Sequence, residues 1–189
     1  MRYIPIFELP ILIIMVLIRS AILRRRGIKA LVFGVTDKTD FFLVPIILLF
    51  FYSLTAAIFN FPLPEILKKP FIDNTAILIC AIVICTASLI WFGITLKIFG
   101  NSFRVGIDET TKEKLITSGT FAISRNPIYL GFIVFFIGIF FAYPNIITSL
   151  FLVLLIAAIH RQIIREEVFL KSHYGEEYEK YCSLVRRYI

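Results

Sequence analysis

Cysteine, histidine and charge are all scarce in this chain of 189 residues. Three cysteines and two histidines cannot build a disulfide framework, and none falls at metal-ligand spacing. Cys80 and Cys85 lie five residues apart in one apolar run, on different helix faces, and Cys182 lies in the tail. They read as structural cysteines, and His160 and His173 as interfacial or structural histidines with no partner pattern. Charged residues make up 17% of the chain, well below the roughly one quarter of an average soluble domain. Internal repeats and low-complexity segments are missing. So is any face of interleaved basic and aromatic residues, and no nucleic-acid module is recognisable. The formal charge of +7 therefore points to a surface facing anionic lipid rather than to a nucleic acid. The N-terminus lacks the pattern of a cleaved leader. Only Arg2 precedes the first apolar run, Glu8 and Pro10 fall early in it, and RSAILRRRG follows where a small-residue cleavage site would be needed. An uncleaved anchor is expected.

Apolar residues are abundant: 59% of the chain, with a mean hydropathy of +0.88. Runs near the length needed to cross a bilayer recur at residues 4–23, 41–61, 75–99, 128–142 and 146–159. The last two are short. The expected fold is an all-α, multi-pass integral membrane protein of about five transmembrane helices, completed by a C-terminal helical segment on the cytoplasmic side. Residues 1–189 form a single membrane domain, with an N-terminal three-span part over 1–99 and a second part over 100–189. Arg and Lys crowd the first and third connectors and the tail. The second connector holds Lys68 and Lys69, and the turn at residues 143–145 holds neither residue type. The positive-inside rule then puts the N-terminus outside and the C-terminus in the cytoplasm.

Helix breakers fall between the runs. Pro127 opens the fourth, a favoured place because its missing N–H would be unpaired there. Asn126 is a candidate side-chain cap for that helix, whose N–H groups also suit an anionic group. Pro144-Asn145 turns the fourth run into the fifth as a helical hairpin. The tail then reads as a helix over residues 160–173, a break at Gly175 and a short helix over 176–184. The hairpin returns the polar stretch after residue 160 to the membrane face that holds Arg125-Asn126-Pro127. Two polar segments distant in sequence thereby meet at one interface.

Those segments carry the motifs. The first runs Leu115, Gly119-Thr120-Phe121, then Arg125-Asn126-Pro127-Ile128-Tyr129-Leu130-Gly131. The second holds Glu166-Glu167, Leu170, Tyr174-Gly175, Tyr178 and Tyr181. Over roughly residues 100–187 the chain resembles the isoprenylcysteine carboxyl methyltransferase and phospholipid methyltransferase superfamily of integral membrane methyltransferases. The pairing of RNPxY with EE…YG..Y..Y at this distance is the specific part.

The resemblance implies S-adenosyl-L-methionine as cofactor and a lipid or prenylated substrate taken from the bilayer. It implies that Leu115 and Ile116 touch the cofactor through backbone and apolar surface, with Lys114, Pro127 and Ile128 alongside. Phe121, Asn126 and Tyr129 would line its adenosine and methionine parts, and Glu166 would hold its ammonium. A carboxylate and aromatic faces suit a ligand carrying a sulfonium and an ammonium. Glu167 is the expected base for an amine substrate and Arg165 a second catalytic candidate. Arg161, Gln162 and Arg165 are the expected substrate-binding residues. Successive helix positions are about 100° apart, so Glu166 and Glu167 should not share one pocket.

The chain departs from the pattern in three places. Thr120-Phe121 replaces the more frequent Pro-Tyr, and Asn126 replaces the histidine of the carboxyl methyltransferases. Gln162 stands one turn before Glu166, where those enzymes carry a substrate-binding arginine. The expected activity is carboxyl methylation of an isoprenylcysteine. Methylation of a phospholipid amine or of a small hydrophobic thiol or acid is the alternative. An NADPH-dependent membrane reductase of the sterol type and a non-enzymatic relative are further alternatives. No metal is expected, and the oligomeric state is open.

Overall fold

A computed structural model describes residues 3–25, 44–99 and 115–189. Inside hydrocarbon no water can satisfy a free N–H or C=O, so an apolar run becomes helical. The helices are α1 (Ile4–Arg25), α2 (Val44–Phe59), the single turn α3 (Glu65–Lys68), α4 (Thr75–Phe99), α5 (Pro127–Ala142), α6 (Ile146–Tyr174) and α7 (Glu176–Leu184). A 3₁₀ turn spans Gly119–Ala122. Among the described residues there is no strand. α1, α4 and α6 are long and apolar enough to cross a membrane, and α2 and α5 are shorter apolar helices. The molecule is an all-α integral membrane protein, as its sequence implies. Large side chains on the helix surfaces, such as Phe7, Leu48, Val83 and Val153, are exposed where lipid would cover them.

α4 and α5 form the closest pair. Ser88 Oγ donates to the Gly131 carbonyl at 2.6 Å, and a Cβ on Gly138 would run into Cys85 Sγ. Small residues thus bring the two backbones together, the usual device where lipid is as apolar as the core. These contacts pair rising numbers on α4 with falling numbers on α5, so the helices are antiparallel. α1 runs parallel to α4: Glu8 accepts from Thr86 Oγ1 at 2.7 Å, and Met15 meets Gly93. A Phe cluster joins α2 to the hairpin, with Phe50 stacked on Phe151 at 3.9 Å and edge-on to Phe136.

The two ends of the bundle are distinct. At one, the Phe71 N–H donates to the Pro144 carbonyl at 2.7 Å, tying the connector before α4 to the α5–α6 turn. At the other, the chain around Ser124 meets the C-terminal residues. The turn itself is held by a capping box in which Asn145 Oδ1 accepts from the Thr148 N–H at 2.9 Å.

Two expectations need correction. The fifth span and the first tail helix are one continuous helix, α6, of 29 residues. At 1.5 Å per residue it is about 43 Å long, more than the roughly 30 Å hydrocarbon core. Nothing around residue 160 breaks it, so one helix carries both the apolar span and Arg161–Glu167. Second, Asn126 occupies the N-cap position of α5, but its side chain makes no capping bond.

Candidate active site

Four segments build the site: the end of α4, the 115–126 turn, the start of α5, and the outer part of α6 with α7 and the C-terminal residues. Gly119 lets the turn approach α4. Its φ is +65°, and a Cβ there would lie 2.5 Å from Ile98 Cδ1, so both conformation and space favour glycine. Thr95 Oγ1 donates to Thr120 Oγ1 at 3.2 Å. Trp91 Nε1 donates to the Pro127 carbonyl at 2.8 Å, fixing the start of α5 against α4. Tyr181 on α7 donates its hydroxyl to the Phe121 carbonyl at 2.6 Å, which ties the C-terminal helix to the turn. Burial pushes the Tyr181 phenol up to about 12 and the Tyr178 phenol up as well, the latter helped by the negative Glu167 nearby.

The two glutamates on α6 enter different networks, as their angular separation requires. Glu166 Oε1 accepts from Tyr129 Oη at 2.5 Å and from Gln162 Nε2 at 2.9 Å. This joins the Asn-Pro-x-Tyr segment to the Glu-Glu segment. Glu167 Oε1 accepts from Asn126 Nδ2 at 3.3 Å and lies 3.5 Å from Arg125 Nη2. Its Oε2 accepts from Arg187 Nε at 3.0 Å and Nη2 at 2.8 Å. The Glu167 side chain is 11% exposed, so this is a mostly buried carboxylate with charged hydrogen bonds on both oxygens. Its contact raises the Arg187 pKa above the ordinary value. Arg125 Nη1 also donates to Cys182 Sγ. A groove of about 350 Å³ lies beside this network, lined by Ile164, Val168, Lys171 and Tyr178 among others.

The predicted residues divide as follows. Asn126 (8% exposed), Tyr129, Gln162, Glu166 and Glu167 are brought together. Leu115 and Ile116 are half-buried in the irregular stretch leading into the turn. Phe121 is buried, with its ring 4.9 Å from that of Phe99. Pro127 is buried, and Ile128 belongs to the main apolar core. Arg161 is exposed and Arg165 half-buried. Lys114 lies outside the described residues. His160 Nδ1 is 2.7 Å from the Tyr188 hydroxyl, and the His173 ring stacks on Phe169.

Sequence reasoning did not single out Trp91, Ser124 or Arg187. Trp91 carried no motif, and its polar nitrogen had no visible partner. Arg187 read as one more tail cation. Its contact with Glu167 spans twenty residues and needs α7 to fold back on α6, which spacing alone does not reveal.

A polar cluster at one end of an apolar bundle, drawn from the turn before α5 and from α6 to the C-terminus, defines a membrane protein with a candidate polar site at the bundle's end. Residues 72–177 match the family model described as phospholipid methyltransferase, which is more than half of the chain, and the protein belongs to that family. A probable protein-S-isoprenylcysteine O-methyltransferase of Oryza sativa subsp. indica is 33% identical over 89 residues, covering 46% of this chain and 47% of the relative. A protein-S-isoprenylcysteine O-methyltransferase of Schizosaccharomyces pombe is 35% identical over 89 residues, covering 46% of this chain and 38% of the relative. The matched segment is thus less than half the length of either relative. No solved structure matches the chain significantly.

Proposed function

We propose that the protein is an S-adenosyl-L-methionine-dependent methyltransferase acting on a lipophilic substrate, of the isoprenylcysteine carboxyl type. The observation that carries this reading is the Tyr129–Glu166 hydrogen bond of 2.5 Å, which unites the two halves of the family motif. The donor set fits the cofactor. Glu166 offers a carboxylate for its ammonium, Asn126 offers an amide, and Leu115 and Ile116 offer backbone and apolar surface. S-adenosylmethionine, when bound, supplies a methyl group already activated on a sulfonium.

The chain's own residues then have little bond chemistry to perform. They align the nucleophile with the methyl carbon and keep water away. Tyr129 and Gln162 hold the Glu166 carboxylate in one orientation. Gln162 is neutral, so the substrate carboxylate is assigned to the cations Arg165 and Arg161 on the same stretch of α6. An ionised carboxylate needs no base. For this reason we assign Glu167 to anchoring rather than to proton abstraction: its oxygens already accept from Asn126 and Arg187, and Arg125 lies beside them. A hydrophobic tail would reach the site laterally from the bilayer.

The site is assigned to the cytoplasmic face and the N-terminus to the outer face. The parallel α1–α4 and antiparallel α4–α5 directions support this, together with the excess of Arg and Lys in the tail.

The second reading is phospholipid N-methylation, favoured by Gln162 at the position where an arginine would serve a carboxylate substrate. The two readings separate when labelled S-adenosylmethionine is offered with a prenylated cysteine and, in parallel, with phosphatidylethanolamine. Label recovered as a base-labile ester supports the first reading. Label recovered in the phospholipid headgroup supports the second and reopens Glu167 as base.

A further inference from the structure

The C-terminal residues after α7 fold back across the start of α5. The Arg125 N–H donates to the Arg186 carbonyl at 3.0 Å, and Ser124 Oγ donates to the Arg187 carbonyl at 3.2 Å. The same Arg187 carbonyl accepts from Asn126 Nδ2 at 3.2 Å. The Arg187 side chain meanwhile clasps Glu167 through Nε and Nη2, and Glu167 is the other acceptor of Asn126 Nδ2. Arg187 therefore acts on Asn126 twice, once through its own main chain and once through the carboxylate it holds.

This fixes the sense of the Asn126 amide. An asparagine amide offers two donors on nitrogen and an acceptor on oxygen, and only its surroundings decide which end points where. Here both acceptors, one of them ionised, lie on the nitrogen side. A flipped amide would set Oδ1 against a carboxylate and a carbonyl. Oδ1 is thereby turned away from Glu167 and the C-terminal segment, as a hydrogen-bond acceptor.

We infer that Arg187 is a positioning residue for the cofactor: it locks the buried Asn126 amide so that Oδ1 receives an N–H donor of the ligand, an amino or ammonium group. The inference rests on the methyltransferase reading above for the identity of the ligand. The lock itself is a property of the free protein. It also gives Arg186 and Arg187, which lie beyond the family match, a direct part in the site.

The test uses the full chain in lipid nanodiscs and five proteins: wild type, Arg187→Ala, Arg187→Lys, Asn126→Ala and the double variant Arg187→Ala with Asn126→Ala. Two quantities are read: S-adenosylmethionine affinity by calorimetry, and hydrogen exchange of the peptide covering residues 123–131 without ligand. Arg187→Ala should speed exchange at the Arg125 amide and weaken the cofactor at least tenfold. In the Asn126→Ala background the same change should cost less than twofold, because its target is gone. Arg187→Lys, which keeps the charge but not the two-nitrogen clasp, should recover part of the affinity, and it carries the comparison if the alanine variant does not fold. Unchanged exchange in Arg187→Ala overturns the lock. A full tenfold loss on top of Asn126→Ala overturns the route through Asn126 and leaves a general structural role. A wild-type protein with no affinity for the cofactor counts against the proposed function, while the exchange comparison still decides the lock.

Discussion

Tyr129 on α5 donates its hydroxyl to Glu166 on α6 at 2.5 Å, across thirty-seven positions of sequence. Gln162, one turn earlier on α6, reaches the same carboxylate oxygen at 2.9 Å. With two donors on Oε1, the carboxylate has little freedom to turn. Charge-assisted bonds of this kind are worth about 1.5–3 kcal/mol each, so losing one corresponds to roughly ten- to a hundredfold in an equilibrium. Tyr129→Phe should therefore weaken cofactor binding by about tenfold. Glu166→Ala should abolish methyl transfer while the protein remains folded and monodisperse in detergent. Calorimetry and size exclusion on the two variants check this.

The α4–α5 contact predicts a stability effect. A Cβ on Gly138 would meet Cys85 Sγ and lie 3.2 Å from the Ala81 carbonyl oxygen and from the Cys85 backbone nitrogen. Backbone cannot yield as a flexible side chain can. Gly138→Ala should cost about 1–3 kcal/mol, the usual range for overpacking, seen as a lower melting temperature in detergent. Adding Cys85→Ala should restore only part of it, since the backbone contacts remain.

At the opposite end from the site, the Asn145–Thr148 capping box closes the hairpin. Thr148→Val removes the hydroxyl that accepts from the Asn145 N–H at 3.1 Å and donates to the Tyr143 carbonyl. A loss of about 1 kcal/mol is expected for a broken cap, with cofactor affinity unchanged. Thermal unfolding and a binding isotherm on the same sample separate the two effects.

The docking of α7 should fail in alkali. The Tyr181 phenol has an ordinary value of 10.0 and is raised to about 12 by burial, and Tyr178 moves in the same direction. The folded state therefore holds these protons more tightly than the unfolded chain does. Their stabilising contribution is complete below the ordinary value and is lost as pH rises through about 12. Phenolate absorbance and exchange of the α7 amides should rise together above pH 10. Tyr181→Phe removes one of the two titrating groups and should flatten that dependence. It should also loosen α7 by about 1 kcal/mol at neutral pH, through the lost bond to Phe121.

Much of this architecture was legible in the sequence because membrane helices declare themselves by length and polarity. Pro127 at the start of α5, the Pro144-Asn145 turn and the Gly175 break all fall where backbone rules place them. Gly175, with φ of +55°, ends α6. The continuity of α6 was hidden because hydropathy changes near residue 160 while the helix does not, and polarity reports the solvent rather than the backbone. The Asn126 side chain was misassigned for a related reason. A cap is a local option, and a distant carboxylate and carbonyl compete for the same amide. That the Arg125–Tyr129 segment meets the Glu166–Glu167 segment followed from the hairpin, while the Tyr129–Glu166 pair itself is visible only in the structure. The Arg187 clasp depends on a chain reversal that no short-range pattern encodes.

The most direct test of the central claim is transfer of labelled methyl from S-adenosylmethionine by the full-length protein in lipid, with a prenylated cysteine as acceptor and Glu166→Ala as control. The account predicts a base-labile methyl ester with the wild type and none with the variant. Failure of the wild-type protein to bind S-adenosylmethionine, or equal transfer by Glu166→Ala, would contradict it.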